Sequence, residues 1–335
     1  MTHSPARPRR GALAALALCA ALATLTAAPA ARAEPAAAPA RGAPLFAPLP
    51  EASATARPRA LALAPLRDWM SPEVGAAWAQ GWTGKGTTVT VIDDFTSTQR
   101  LRGNLGTGVR NQRHGEWVRD EARMIAPGAS FATQSFYSGR AVVPRGGLNV
   151  LNLSYGSPVA ASVPFDQIGW SAQERSIRTL ADTGRAVVVK SAGNDGVAIG
   201  SANRQGRIDA LNTYLTGVQG TIFVGALDRN GTPEAQSRLT GYSNFAGADE
   251  TVQGQFLSVG VESAKTGLAG TSFAAPIVSG YAAIVGQKFK GATAPQIATQ
   301  LLTTARTDTI AGFDPGLHGR GEASLSRALA PDAIR

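Results

Sequence analysis

The chain has 335 residues, 44% of them apolar, which is ample for a core; that length allows one large α/β domain or two small ones. The formal net charge is +9, but residues 1–33 hold four arginines and no acid, so residues 34–335 carry +5 of it, scattered without a Lys/Arg-rich run. This distribution excludes a nucleic-acid footprint, and a single cysteine, Cys19, excludes an intrachain disulfide.

Arg7, Arg9 and Arg10 open the chain, Gly11 to Ala28 is apolar, and Ala31-Arg32-Ala33 has the small-x-small pattern of a cleavage site. Residues 1–33 read as a secretory signal peptide. The apolar run is short for a membrane span, and Leu18 before Cys19 is unlike a lipidation site. The expectation is a secreted or periplasmic protein with no stable membrane anchor, whose mature chain lacks cysteine. Residues 34–65 are rich in alanine and proline and read as a flexible or extended leader. Residues 66–335 form the folded domain.

Ser71-Pro72-Glu73 starts a helix that ends near Gly81. Gly84-Lys85-Gly86 lacks the Ser or Thr of a P-loop. Strands are predicted over Thr87–Asp93, Ser130–Phe136, Leu148–Ser154, Ala186–Ser191, Thr221–Leu227 and Phe256–Val259. Helices are predicted over Gly115–Ile125, Asp166–Ala181, Ile208–Leu215, Ser272–Phe289 and Ala294–Thr304. Apolar strands alternating with helices predict a mostly parallel sheet covered on both faces, with ligands beyond the carboxyl ends of the strands.

The segment Ser272 to Phe289 carries no charge before Lys288, so it reads as a buried helix with Thr271 or Ser272 as N-cap. Pro276 within its first turn is unusual. A serine beside free N–H groups suits a nucleophile whose intermediate carries an oxyanion, although, taken alone, the position is better explained by an ordinary N-cap serine. Asp93 ends an apolar strand, His114 stands in Gln112-Arg113-His114-Gly115-Glu116-Trp117-Val118, and Asn194 stands in Ser191-Ala192-Gly193-Asn194-Asp195-Gly196.

The order Asp, His, Asn, Ser in these settings resembles the subtilisin-like serine protease family over roughly Trp78 to Leu329. The resemblance implies a three-layer subtilisin-like fold and peptide hydrolysis with no cofactor. It assigns Ser272 as nucleophile, His114 as base, Asp93 as the carboxylate orienting it, and Asn194 as oxyanion donor. Asp94 remains a rival to Asp93, but successive strand side chains point opposite ways, so only one can face His114. His318, in a glycine loop, is structural by the same resemblance. Leu151 to Gly156 is similar to the family's substrate-binding strand; Ser154, Tyr155, Gly156, Ala192 and Gly193 would border the pocket for the residue before the scissile bond.

Two departures stand out. The family's His-Gly-Thr-His is His114-Gly115-Glu116-Trp117 here, and Ala126-Pro127-Gly128-Ala129 follows the next helix too closely for a calcium loop. No metal is therefore expected, nor does the leader have the length of a folded inhibitory propeptide. The expected partner of this monomer is a polypeptide substrate. A narrow-specificity esterase or peptidase, and a non-catalytic peptide-binding module with the same fold, are the alternatives.

Overall fold

The computed structural model describes residues 65–334. The export segment 1–33 and, its last residue apart, the leader 34–65 lie outside the described residues. Ten strands follow in chain order: β1 (Thr87–Asp93), β2 (Leu101–Gly103), β3 (Arg110–Gln112), β4 (Ser130–Ser135), β5 (Leu148–Leu153), β6 (Pro158–Ala160), β7 (Ala186–Ser191), β8 (Arg207–Asp209), β9 (Thr221–Leu227) and β10 (Phe256–Gly260). Six of them form one sheet in the order β10-β9-β7-β5-β1-β4, and every neighbouring pair runs parallel. The pairs β2–β3 and β6–β8 are short antiparallel ribbons.

The helices are α1 (Pro72–Ala79), α2 (His114–Ile125), α3 (Ala172–Asp182), α4 (Ala210–Leu215), α5 (Glu250–Gln255), α6 (Ser263–Thr266), α7 (Ala275–Lys288), α8 (Ala294–Thr303), α9 (Pro315–His318) and α10 (Leu325–Ala328). Strand alternation divides the core into two layers. Val89 and Val91 of β1, Val150 of β5, and Val187 and Val189 of β7 pack with residues of α2, α7 and α8. Their neighbours Ile92, Leu151, Leu153, Ala186 and Val188 pack with Ile177, Leu180, Leu211, Leu215 and Val252 of α3, α4 and α5. Strands buried on both sides read as near-continuous apolar runs; β1, β7 and β9 are buried throughout, and the polar residues they carry, Asp93 and Lys190 among them, are buried with the rest. The expected architecture, a parallel sheet with helices on both faces, is the one found.

The central helix departs from its expected start. Thr271–Phe273 is a separate 3-10 turn, and α7 begins at Ala275. The flanking Ala274 has no capping side chain, and Pro276 falls in the opening residues of α7, where a missing N–H breaks no helical bond. Neither Thr271 nor Ser272 caps the helix. α7 is buried from Ala275 to Gly286, as its unbroken apolar sequence requires. The helix expected from Asp166 begins at Ala172, because Ser171 caps it and Glu174 reaches back to the Ser171 N–H.

Candidate active site

The parallel register aligns the strand ends. Ile92 lies beside Leu153 and Leu153 beside Lys190, so Asp93, Ser154 and Ser191 reach the carboxyl edge together. By alternation, Asp93 continues the Val89–Val91 side, toward α2. His114 is the first residue of α2, and its Nδ1 stands 2.6 Å from Asp93 Oδ1. The Asp93 side chain is 1% exposed and that of His114 27%. Asp93 Oδ1 also accepts the Asp94 N–H at 2.6 Å.

Asp94 does not share this role. Its carboxylate accepts the N–H groups of Thr96 and Ser97. Burial opposes its charge, but the hydrogen bonds from Ser97 and Thr96 prevail and hold it below the usual carboxylate range. The close approach of α2 to β1 requires Gly115: a Cβ there would lie 2.9 Å from the Asp94 carbonyl oxygen and 3.0 Å from Asp93 Cβ. Glu116, where the family has threonine, accepts the Arg113 N–H at 2.8 Å and closes the helix start. Trp117 is buried and donates its indole N–H to Leu101 O at 2.9 Å. The substituted motif thus anchors the histidine from behind.

Ser272 sits in the 3-10 turn after Gly270, whose φ of 124° only glycine adopts readily. The His114 ring lies 5.4 Å from that of Phe273, the next residue. Ser272 and Ser154 are joined twice: Ser272 Oγ donates to Ser154 O at 3.2 Å, and Ser154 Oγ donates to Ser272 O at 2.9 Å. Behind them runs a buried chain in which Ser279 Oγ donates to Asn152 Oδ1 and Asn152 Nδ2 to Ser154 Oγ, both at 2.9 Å.

Asn194 is exposed, and its Oδ1 accepts the Thr271 N–H at 2.8 Å and the Thr271 hydroxyl at 3.1 Å. That leaves Nδ2 as the outward donor. Thr271 Oγ1 also accepts the Gly193 N–H at 3.0 Å, so one buried threonine fixes both the turn and the Asn194 loop. Ser154, Tyr155, Gly156, Gly193, Asn194 and Ser272 line a cavity of about 300 Å³. Tyr155 stacks on Phe136 at 5.3 Å. Ala192 is fully buried and does not line the cavity; its carbonyl accepts from Asn212 at 2.9 Å and Asn244 at 3.1 Å, which supports the loop from below. His318 is buried, and its Nδ1 accepts the Asp314 N–H at 3.1 Å. Desolvation lowers its pKa.

Asn152, Asn244 and Ser279 escape a reading of the sequence, as do Lys190 and Asp209, paired at 3.1 Å. The available signal was polarity at positions that alternation assigns to the core, above all the lone lysine of Val187-Val188-Val189-Lys190. Among the described residues, no three His, Cys, Asp or Glu side chains are grouped to hold a metal ion. No described helix is long and apolar enough to cross a membrane.

Residues 121–321 match the family model of the subtilase family. The match begins after Asp93 and His114, so the placement of those two rests on the geometry above. Mycosin-4 of Mycobacterium tuberculosis is 28% identical over 201 residues, which are 56% of this chain and 43% of that protein; the chain thus matches less than half the length of this curated relative. Two solved structures share the fold. One is a serine protease, MycP1, described as an essential component of the type VII (ESX-1) secretion system, with 18% identity, 79% of this chain and 88% of that chain covered, and a TM-score of 0.52. The other is MycP1 from Mycobacterium smegmatis, with 20% identity, 79% and 86% covered, and a TM-score of 0.50. With the family model spanning more than half of the sequence, the chain belongs to the subtilase family.

Proposed function

We propose that the protein is an exported serine endopeptidase that hydrolyses peptide bonds through Ser272, His114, Asp93 and Asn194. A serine hydroxyl is a weak nucleophile until a base takes its proton. His114 takes it through Nε2, while Asp93 holds Nδ1–H and stabilises the imidazolium. Asn194 Nδ2 and the Ser272 N–H receive the developing oxyanion. The peptide lies along Ser154 to Gly156, as an added strand held by main-chain hydrogen bonds. The observation that carries this reading is the 2.6 Å contact between Asp93 and His114 at the end of the sheet where Ser272 and Asn194 gather.

Attack requires the Ser272 hydroxyl to leave the Ser154 carbonyl, to which it donates at 3.2 Å, and turn to the imidazole. Catalytic hydrogen bonds often tighten only once substrate is bound. The same observation favours a second reading, a peptide-binding module whose serine stays on Ser154. A fluorophosphonate probe separates the two. Labelling at Ser272 together with casein cleavage supports the peptidase; peptide binding without labelling supports the module. Export with loss of residues 1–33 is part of the proposal, and an intact mass of secreted protein that retains Cys19 contradicts it.

A further inference from the structure

If the peptidase reading holds, the Asn194 amide must be aimed at the oxyanion before substrate arrives, because the effect of such a donor comes from its being preorganised. Yet Asn194 is exposed, on irregular backbone between β7 and β8. Thr271 holds its side chain and the Gly193 N–H. The residues after Asn194 are held from elsewhere, by Asn244, which lies between β9 and α5 and is 4% exposed. Asn244 Oδ1 accepts the Asp195 N–H at 2.9 Å and the Val197 N–H at 3.2 Å, and Nδ2 donates to Ala192 O at 3.1 Å. One side-chain amide thus grips the backbone on both sides of Asn194. The Asn244 N–H adds a bond to Gly193 O at 2.9 Å, and the Phe245 N–H one to Val197 O at 3.1 Å.

Asn244 is itself anchored to the sheet. Ser243 Oγ donates to Asn244 O at 2.8 Å and accepts the Ala226 N–H of β9 at 3.0 Å. β9 pairs with β7, the strand that leads into the Asn194 loop. The amide also needs glycine at position 193. A Cβ there would lie 2.3 Å from Asn244 Nδ2, and the φ of 113° strains any other residue. Only an amide side chain both accepts two N–H groups and donates to a carbonyl; an aspartate carboxylate would face Ala192 O without a proton. Truncating Asn244 leaves the Asp195 and Val197 N–H groups without their partner, which costs free energy and frees the backbone that carries Asn194. We propose that Asn244 is a positioning residue for the oxyanion hole, acting through the 192–197 backbone to hold the Asn194 amide where the oxyanion forms.

The test is peptide hydrolysis by the full chain carrying Asn244→Ala, Asn194→Ala or both, each checked for folding. Asn244→Ala should lower kcat at least about tenfold with KM within about twofold of the parent, a part of the roughly 10² to 10³ that such a donor supplies in subtilisin. In the Asn194→Ala background the same change should cost less than about twofold, because no donor is left to aim. An unchanged kcat in folded Asn244→Ala, a loss confined to KM, or an equal loss with and without Asn194 overturns the proposal. Should Asn244→Ala fail to fold, Asn244→Ser, which keeps a hydroxyl but not the amide's reach, is measured against the same criteria. In the unaltered chain the Asp195 and Val197 N–H groups should exchange with deuterated water more slowly than unbonded surface amides. Exchange as fast as those overturns the proposal whether or not any variant folds. A parent chain that neither cleaves peptide nor labels with fluorophosphonate fails the peptidase reading, and the proposal falls with it; an active parent with unaffected Asn244 variants fails the proposal alone.

Discussion

The two halves of the site are built differently. Asp93 and His114 stand on regular structure, the last residue of β1 and the first of α2. They are 21 residues apart in the chain and bonded directly at 2.6 Å. Ser272 and Asn194 stand on irregular backbone, a 3-10 turn after Gly270 and the loop after β7. They are coupled through Thr271, which binds the Asn194 amide and the Gly193 N–H. The first half is set by strand alternation and one glycine contact. The second depends on hydrogen bonds between residues 77 or 78 positions apart. In this structure the carboxylate–imidazole half is already assembled, whereas the serine–asparagine half is held in place with the Ser272 hydroxyl on Ser154.

Removing the direct bond should break the first half. Asp93→Asn is expected to lower kcat by about 10⁴ by favouring the wrong imidazole tautomer, the figure measured for an analogous triad, whereas Asp94→Asn keeps most activity. Steady-state peptide hydrolysis by folded variants checks both. In the second half, Asn194→Ala should lower kcat by roughly 10² to 10³, a range taken from subtilisin itself, with KM nearly unchanged. Thr271→Val removes only the hydroxyl that orients Asn194, so a loss of about tenfold in kcat is expected, the worth of one or two neutral hydrogen bonds. In an Asn194→Ala background the Thr271→Val effect should shrink markedly, because the two act through the same donor.

The smallest effect concerns stability near the first half. Glu121 of α2 is fully buried, and its Oε2 has no hydrogen-bond partner among the described residues. Burial pushes its carboxyl well above the usual range, so the folded state favours the neutral acid. That contribution is complete below the unfolded carboxyl pKa, near 4.3, and is lost as pH rises toward the folded value. Glu121→Gln should therefore raise Tm at pH 7 and change it little at pH 4. A larger gain at pH 4 than at pH 7 in thermal melts contradicts this sign.

Much of the first half was legible in the sequence, and much of the second was not. Thr87–Asp93, Ala186–Ser191 and Thr221–Leu227 are strands with the expected bounds, because β-branched runs that start at or just after a glycine turn have few alternatives. Thr271-Ser272 after glycine imitates a helix cap, and only the backbone turn reveals that the helix starts at Ala275. The three-residue strands β2, β3, β6 and β8 are too short to carry a period. Asn152 and Ser279 meet across 127 residues, a pairing that no local pattern announces. Lys190 carried a signal, a charge in an apolar strand, but was not singled out from the sequence, and its partner Asp209 is known only from the fold.

If Asp93–His114 and Ser272–Asn194 act as one unit, a double-mutant cycle on His114→Ala and Ser272→Ala will show it most directly. Each single variant should lose about 10⁶ in kcat, the value found for subtilisin, and the double variant should be hardly worse than either. Peptide hydrolysis by the four purified proteins, each checked for folding and for trace contamination, supplies the numbers. A folded Ser272→Ala protein that cleaves at the unaltered rate, or losses that simply multiply in the double variant, would contradict the account.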